Sequence, residues 1–411
     1  MNSPKNYQRA LHVSIVGGGI AGLTAALCLK SVGISSTVYE AQVTEPGGGG
    51  MTIAPNGMKI LNHLGIGNRI ARLGAPIDFI RFTDKTDKAI SRFGNKSSKL
   101  DEVGAIALPR STLMQVLREK VSEAGITVLN DFSIDHIDYH HDYVNLYFKN
   151  KEMVKADMVI GADGANSTIR QYVCDGQSTP KIHKSVVIGG LVKSENIKSI
   201  INYKDDSSRS SINLLLHHDK SFGFCCGSKD ESIWMWWCRV DDDISEKISH
   251  TLREKKRELL LNAFSGWKSP VQELLLETEY ISVNHAYDLE PLHSWHKNRA
   301  VLIGDAAHAM PPSSGQGASL AMEDALSLAC SLSVNDLCPQ IAFEQYASMR
   351  KERVEKIAEL ARRQRQPPVS PLKFWFIKKA LSVILPIVGP RSNKWIYDYD
   401  PRQISWYKRA I

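Results

Sequence analysis

A chain of 411 residues, 43% hydrophobic and 23% charged, with mean hydropathy −0.23, has room for two domains or for one large domain carrying an insertion. No segment approaches the roughly 18 uninterrupted apolar residues of a spanning helix, which excludes a membrane-embedded class. The net charge of +7 is concentrated late, since residues 350–411 hold 15 Lys and Arg against 5 Asp and Glu and the rest is close to neutral; without a recognisable aromatic–basic module this excludes nucleic acid as the expected partner.

Seven scattered cysteines form no CxxC pair and no His/Cys cluster, so no metal is expected and the thiols fit a reducing cytoplasm. The first ten residues, MNSPKNYQRA, carry little positive charge and no cleavage site, so no signal peptide is expected.

The first element is an apolar strand over residues 11–16. GGGIAG at 17–22 then opens a helix to about residue 31, and a second strand covers 36–40. In this β–α–β setting Gly17 permits the tight turn, Gly19 admits a pyrophosphate and Gly22 lets helix lie on strand. Glu40 ends the second strand, where its carboxylate accepts ribose hydroxyls and repels a 2′-phosphate. The site therefore favours the ADP moiety of FAD or NAD.

Four glycines at 47–50 read either as a loop drawn over a ligand or as a flexible surface loop. Residues 76–107 are irregular and strand-like. Arg110 starts a helix with apolar residues at 113, 114, 117 and 121; its guanidinium reaches a pyrophosphate or makes a surface ion pair. Strands at 126–130, 132–139, 143–149 and 153–160 have the period-two pattern of a meander. The last enters GADGANSTIR at 161–170, a buried strand meeting a tight turn and a helix start.

Residues 182–288 change character, with β-branched and aromatic runs and one helix expected at about 244–264. FGFCCG (222–227) and IWMWWCRV (233–240) read as paired strands. Trp234, Trp236 and Cys238 share one face, Met235 and Trp237 the other. Phe224, Trp234 and Trp236 are read as lining a ligand cavity, against the alternative of a face packed on helices.

A short buried strand at 300–303 leads to Asp305, then Pro311, Pro312 and Gly315-Gln316-Gly317. A helix follows, with apolar residues 318, 321, 322, 325, 328 and 332 at helical spacing. Its free amides and dipole suit an anionic or electron-rich ring edge, and Asp305 is placed to accept from sugar hydroxyls. A charged helix covers 336–364. The apolar run 372–388 carries three lysines, and either lies at an anionic membrane surface, giving a weak peripheral contact, or closes the fold as a packed helix.

With GGGIAG…E at 17–40, GADGANSTIR at 161–170 and GDAAHAMPPSSGQG at 304–317, residues 11–350 resemble the single-component FAD-dependent aromatic hydroxylases, the flavoprotein monooxygenase group typified by p-hydroxybenzoate hydroxylase. FGF before a Trp-rich strand and the late WIYDYD (395–400) look most like salicylate-hydroxylase-like and zeaxanthin-epoxidase-like members. The resemblance implies an α/β fold: a Rossmann-type FAD-binding domain (1–75, 101–181 and 289–365), an inserted mixed or antiparallel β-sheet substrate domain (76–100 and 182–288) and a C-terminal helical segment (366–411).

It also implies that Gly17, Gly19, Gly22 and Glu40 hold the ADP half of FAD, and that Arg110 contacts the pyrophosphate or flavin side chain. Asp163 would belong to FAD and nicotinamide binding, and Asp305 to the ribityl chain or pyrophosphate. Gly315 and Gly317 would present amides to the flavin, with Pro311 at the substrate pocket. NADH or NADPH would reduce FAD, and O2 would form the C4a-hydroperoxide that hydroxylates an aromatic or polycyclic molecule, a polyketide or tetracycline scaffold among the candidates.

The pocket strand around 222–226 holds phenylalanines and cysteines where many phenol-acid hydroxylases carry His or Tyr, so no catalytic base is assigned. His217, His218 and His308 are the candidates, each expected on a loop or at the surface. The alternatives are a flavin reductase of the geranylgeranyl-reductase kind and a non-catalytic nucleotide-binding scaffold.

Overall fold

In the computed structural model the described residues are 11–43, 49–94, 104–149, 151–197, 199, 210–335, 338–364, 369–392 and 394–403. Gly47 and Gly48 of the glycine run lie outside them, as do parts of the segments 76–100, 182–288 and 366–411.

The apolar strand His12–Val16 sits inside a six-stranded sheet, flanked in parallel by Ser35–Glu40 and Met158–Gly161. Ala300–Leu302 extends it on one side and Thr127–Asn130 on the other, with the short antiparallel His296–Lys297 at one edge. All three motif loops thus leave the carboxyl ends of adjacent parallel strands, the place where open α/β sheets bind ligands. The helix Gly317–Val334 runs through the middle of this part of the molecule, packed on the helices Ile20–Ser31, Pro55–His63 and Pro339–Gln364. It is buried on every side as far as Leu332, beyond the one apolar stripe that the spacing predicts.

A second sheet of seven strands has the order Ile281–Asp288, Lys181–Lys193, Ile233–Arg239, Ser221–Cys226, Ser211–Leu216, Phe79–Asp84, Ala89–Gly94. Only the Ser211–Leu216/Phe79–Asp84 pair is parallel. One face is covered by the helices Asp242–Ser249, Arg253–Ala263 and Val271–Glu277. The other meets a three-stranded sheet of Gly50–Ile53, Ala105–Pro109 and Ala75–Ile77. The fold is the α/β arrangement expected.

Three details correct the sequence reading. The segment 126–130 is not part of a meander; it is an edge of the parallel sheet, and only Ile134–Tyr139, Val144–Phe148 and Val154–Ala156 form the antiparallel trio. The run 153–160 divides at Asp157, whose carboxylate accepts from the His12 amide (2.9 Å) and so passes the chain into the parallel sheet. The single helix at 244–264 is two helices. Thr251 Oγ1 donates to the Lys247 carbonyl (2.5 Å) at the break, a local side-chain bond that competes with helix continuation.

Candidate flavin and substrate site

The first motif folds as its glycines require. Gly17 has φ +108°, and a Cβ there would lie 2.3 Å from the Ala162 carbonyl oxygen, so the first and second motif loops touch. A Cβ on Gly22 would strike the Gly17 oxygen at 1.9 Å, whereas nothing lies within 4 Å in front of Gly19. Closed packing behind and open space ahead is the shape a pyrophosphate needs. Glu40 accepts from the Gly18 amide (2.6 Å) and the Gln42 amide (2.8 Å). A carboxylate has about four acceptor sites, so two bonds leave room for ribose hydroxyls. Arg110 heads the helix Arg110–Glu123, exposed, and its guanidinium takes no partner among the described residues.

The third motif builds the other end. Asp305 is exposed although Ile303, Ala306 and Ala307 beside it are buried, and no described residue hydrogen-bonds its carboxylate. The space where a Gly317 side chain would begin lies 4.0 Å from Asp305 Oδ1. Gly315, in the left-handed region at φ +62°, has nothing within 4 Å. An unpaired carboxylate, bare backbone and the amino end of an 18-residue helix therefore share one open space. These residues fit a flavin with its ribityl chain. Pro311 is buried at the turn before Pro312–Ser314.

Behind this loop lies a buried ionic network that the sequence reading misses. Asp324 Oδ2 accepts from the Gly304 amide (3.0 Å) and His308 Nε2 (2.5 Å), while Oδ1 accepts from Arg350 Nε (2.8 Å). Glu323 accepts from Arg350 Nη1 (2.6 Å), Arg353 (2.9 and 3.0 Å) and Asn56 Nδ2 (2.7 Å). Asn56 also donates to Gln316 Oε1 (3.0 Å), which pins the residue between the two open glycines. Burial alone would raise Asp324; His308 and Arg350 outweigh it and hold the carboxyl at about 2. Arg353 reaches on to the Trp395 and Ile396 carbonyls (3.1 and 2.9 Å) and lies over the Tyr399 ring at 3.9 Å. The WIYDYD segment is thereby tied to the back of the 304–317 loop. The legible signal was an acidic pair, Glu323-Asp324, as the only charges in the helix Gly317–Val334.

His308 is therefore neither at the surface nor on an open loop; it is buried against Asp324. His217 and His218 occupy the hairpin turn after Leu216, with His217 Nδ1 2.5 Å from Asp219. Among the described residues, His217, His218 and Asp219 form one group with metal-ligand atoms within 4.8 Å of one another. Lys220, 3.5 Å from Asp219, opposes a cation there. Asp163 spends its carboxylate on the Ser167 hydroxyl (2.5 Å) and the Thr168 and Ile169 amides (2.8 and 3.1 Å), holding the start of the helix Thr168–Val173. Arg170, fully buried, donates to the Ala306 carbonyl (3.1 Å) and joins the second motif to the third.

The pocket assignment of Phe224, Trp234 and Trp236 is corrected. All three are buried in the core that joins the seven-stranded sheet to its helices. Trp236 donates to Thr278 Oγ1 (2.7 Å) and stacks on Phe222 at 5.3 Å. The opposite face carries Leu191, Ile212, Cys225, Met235 and Trp237. It closes on the strand Gly50–Ile53: a Cβ on Gly50 would meet Met235 Sδ at 2.2 Å. Alternation separates the two faces correctly but does not say which one helices cover, because both are apolar.

Comparison with known proteins agrees with this geometry. Residues 10–361 match the FAD binding domain family. The chain is 29% identical over 374 residues to the FAD-dependent urate hydroxylase of Mycolicibacterium vanbaalenii, covering 86% of this chain and 87% of that one. It is 28% identical to the 6-hydroxynicotinate 3-monooxygenase of Pseudomonas fluorescens, over 85% of this chain and 90% of the relative. The crystal structure of Klebsiella pneumoniae HpxO complexed with FAD and uric acid superposes with a TM-score of 0.80 at 21% identity, covering 96% and 99% of the two chains. The chain belongs to this FAD-binding family of flavoprotein monooxygenases; it is an enzyme, and FAD is its cofactor.

Proposed function

We propose that the enzyme uses NADH or NADPH and O2 to hydroxylate a bulky, largely apolar aromatic or polycyclic molecule. The observation that carries this reading is the unpaired Asp305 carboxylate facing the open amino end of the helix Gly317–Val334. Glu40 binds the ribose, the Gly19 backbone and Arg110 the pyrophosphate, and Asp305 the ribityl hydroxyls. The amides at 315–317 meet the flavin's pyrimidine edge, where a helix dipole stabilises negative charge. Asp163 acts from behind, by fixing the loop against Gly17. Bound FAD supplies the oxygen activation; the protein supplies position, dry enclosure and electrostatics.

In this assignment, residues 1–75, 101–181 and 289–365 hold FAD, and 76–100 with 182–288 hold the substrate. The substrate lies between the Pro311 turn and the partly exposed Leu191, Ile212 and Trp237, backed by Cys225 and Met235, which are buried against Ala105 and Ala107. These side chains are uncharged, with Arg239 the charged residue that follows Trp237 on the same face of the strand, which favours stacking on a polycyclic scaffold over pairing with a small carboxylate.

A panel of aromatic and polyketide compounds, screened for stimulated NAD(P)H oxidation and then for product mass, tests the proposal. The expected product is one oxygen atom heavier than its substrate, with O2 consumed in step. Oxygen-independent turnover giving a product heavier by two hydrogens would replace this reading with the reductase alternative.

A further inference from the structure

The helix Pro371–Ser392 packs one face on the sheet-edge strand Ala89–Gly94, where Gly389 lies against the Phe93 ring and Lys378 pairs with Asp84 at 3.4 Å. Phe374, Ile377, Leu381 and Leu385 are half-buried on that face. The opposite face is also apolar, and no described residue covers it. Leu372, Phe376, Val383 and Ile387, spaced by four, seven and four residues, are 70%, 60%, 64% and 63% exposed. Trp375 and Ile384 border this line. A contiguous exposed row of this kind on one helix marks an interaction surface, unlike a scatter of single exposed residues.

Its occupant follows from charge and length. Lys373 and Lys379 are exposed on the same side, and the chain from residue 350 onward carries 15 basic against 5 acidic residues. A second copy seated face to face would bring these lysines together; an anionic bilayer would neutralise them. No helix among the described residues is long and apolar enough to cross a membrane. We propose that Pro371–Ser392 docks the enzyme on anionic lipid, lying in the interfacial plane. Leu372, Phe376, Val383 and Ile387 enter the acyl boundary, and Lys373 and Lys379 extend their stems to the phosphate level. The inference stands on the helix surface alone, whatever the substrate is.

Vesicle flotation of the FAD-loaded full chain tests it, with phosphatidylcholine alone and with phosphatidylglycerol added. The bound fraction is expected to rise at least about tenfold with phosphatidylglycerol and to fall with salt. F376S/V383S/I387S loses binding while keeping its flavin absorbance and melting temperature, and K373E/K379E loses the preference for anionic lipid. Wild-type protein that stays below the vesicles, or a serine variant that floats as well as wild type, overturns the proposal. So does a dimer that the serine variant dissolves in the absence of any vesicle binding.

Discussion

At the residue scale, side chains of one type take different roles by orientation alone. Asp305 and Asp163 both end a motif strand, yet one carboxylate is open and the other is consumed by three local hydrogen bonds. Replacing Asp305 by Ala removes a charged acceptor, worth roughly 1.5–3 kcal/mol. FAD affinity measured by fluorescence titration should fall about ten- to a hundredfold, without loss of helical signal.

Trp236 and Trp237 give a sharper contrast. Trp236→Ala opens a cavity in a closed core, and the expected destabilisation of about 3–5 kcal/mol appears as a lowered thermal midpoint. Trp237→Ala should leave the melt near wild type and change which compounds stimulate NAD(P)H oxidation. The reverse pattern would return the pocket to the Trp236 face. The sequence pattern sorts these side chains into two sets, but the choice of face depends on the helices Asp242–Ser249 to Val271–Glu277, which are distant in the alternation.

At the scale of elements, the helix Gly317–Val334 binds the architecture together. Its acids carry no function at the surface; they hold Gly304, His308, Arg350 and Arg353 in a dry interior. Removing one partner of such a network is severe because the other charge stays buried, so Arg350→Ala should cost about 3–5 kcal/mol. Arg353→Ala, which removes the hydrogen bonds to the Trp395 and Ile396 carbonyls, should release the WIYDYD segment to protease.

The same network sets an acid limit. Asp324 is held at about 2 against 3.8 for a free aspartate, so its contribution is present above the free value and lost as pH falls toward 2. The drop is about 2–3 kcal/mol, because each tenfold change in proton affinity between the folded and unfolded chain is worth ~1.4 kcal/mol. Acid unfolding of wild type should accelerate between pH 4 and 2, whereas Asp324→Asn, weaker at neutrality, should show a flatter profile there. Of this element the helix itself was legible from spacing. The partners of Glu323 and Asp324 were not, because Arg350 and Asn56 approach from elements far along the chain.

At the scale of the whole molecule, three motifs separated by more than a hundred residues converge because each follows a parallel strand of one sheet. That convergence was legible, since strand, glycine turn and helix start recur in the same order at 17, 161 and 304. The two-faced burial of the second sheet was not legible, nor was the docking of the WIYDYD segment onto the 304–317 loop, because both depend on long-range packing that local pattern does not encode. The basic, apolar helix Pro371–Ser392 then carries the edge of the seven-stranded sheet on its inner face and leaves a hydrophobic row outward.

The central claim is that the flavin rests against the amino end of Gly317–Val334 with its ribityl chain on Asp305. A crystal structure of the FAD complex tests it most directly. The ribityl oxygens and the flavin pyrimidine edge are predicted to lie within about 3 Å of Asp305 and of the backbone amides at 315–317. A flavin seated elsewhere, with water or side chains filling that space, would contradict it.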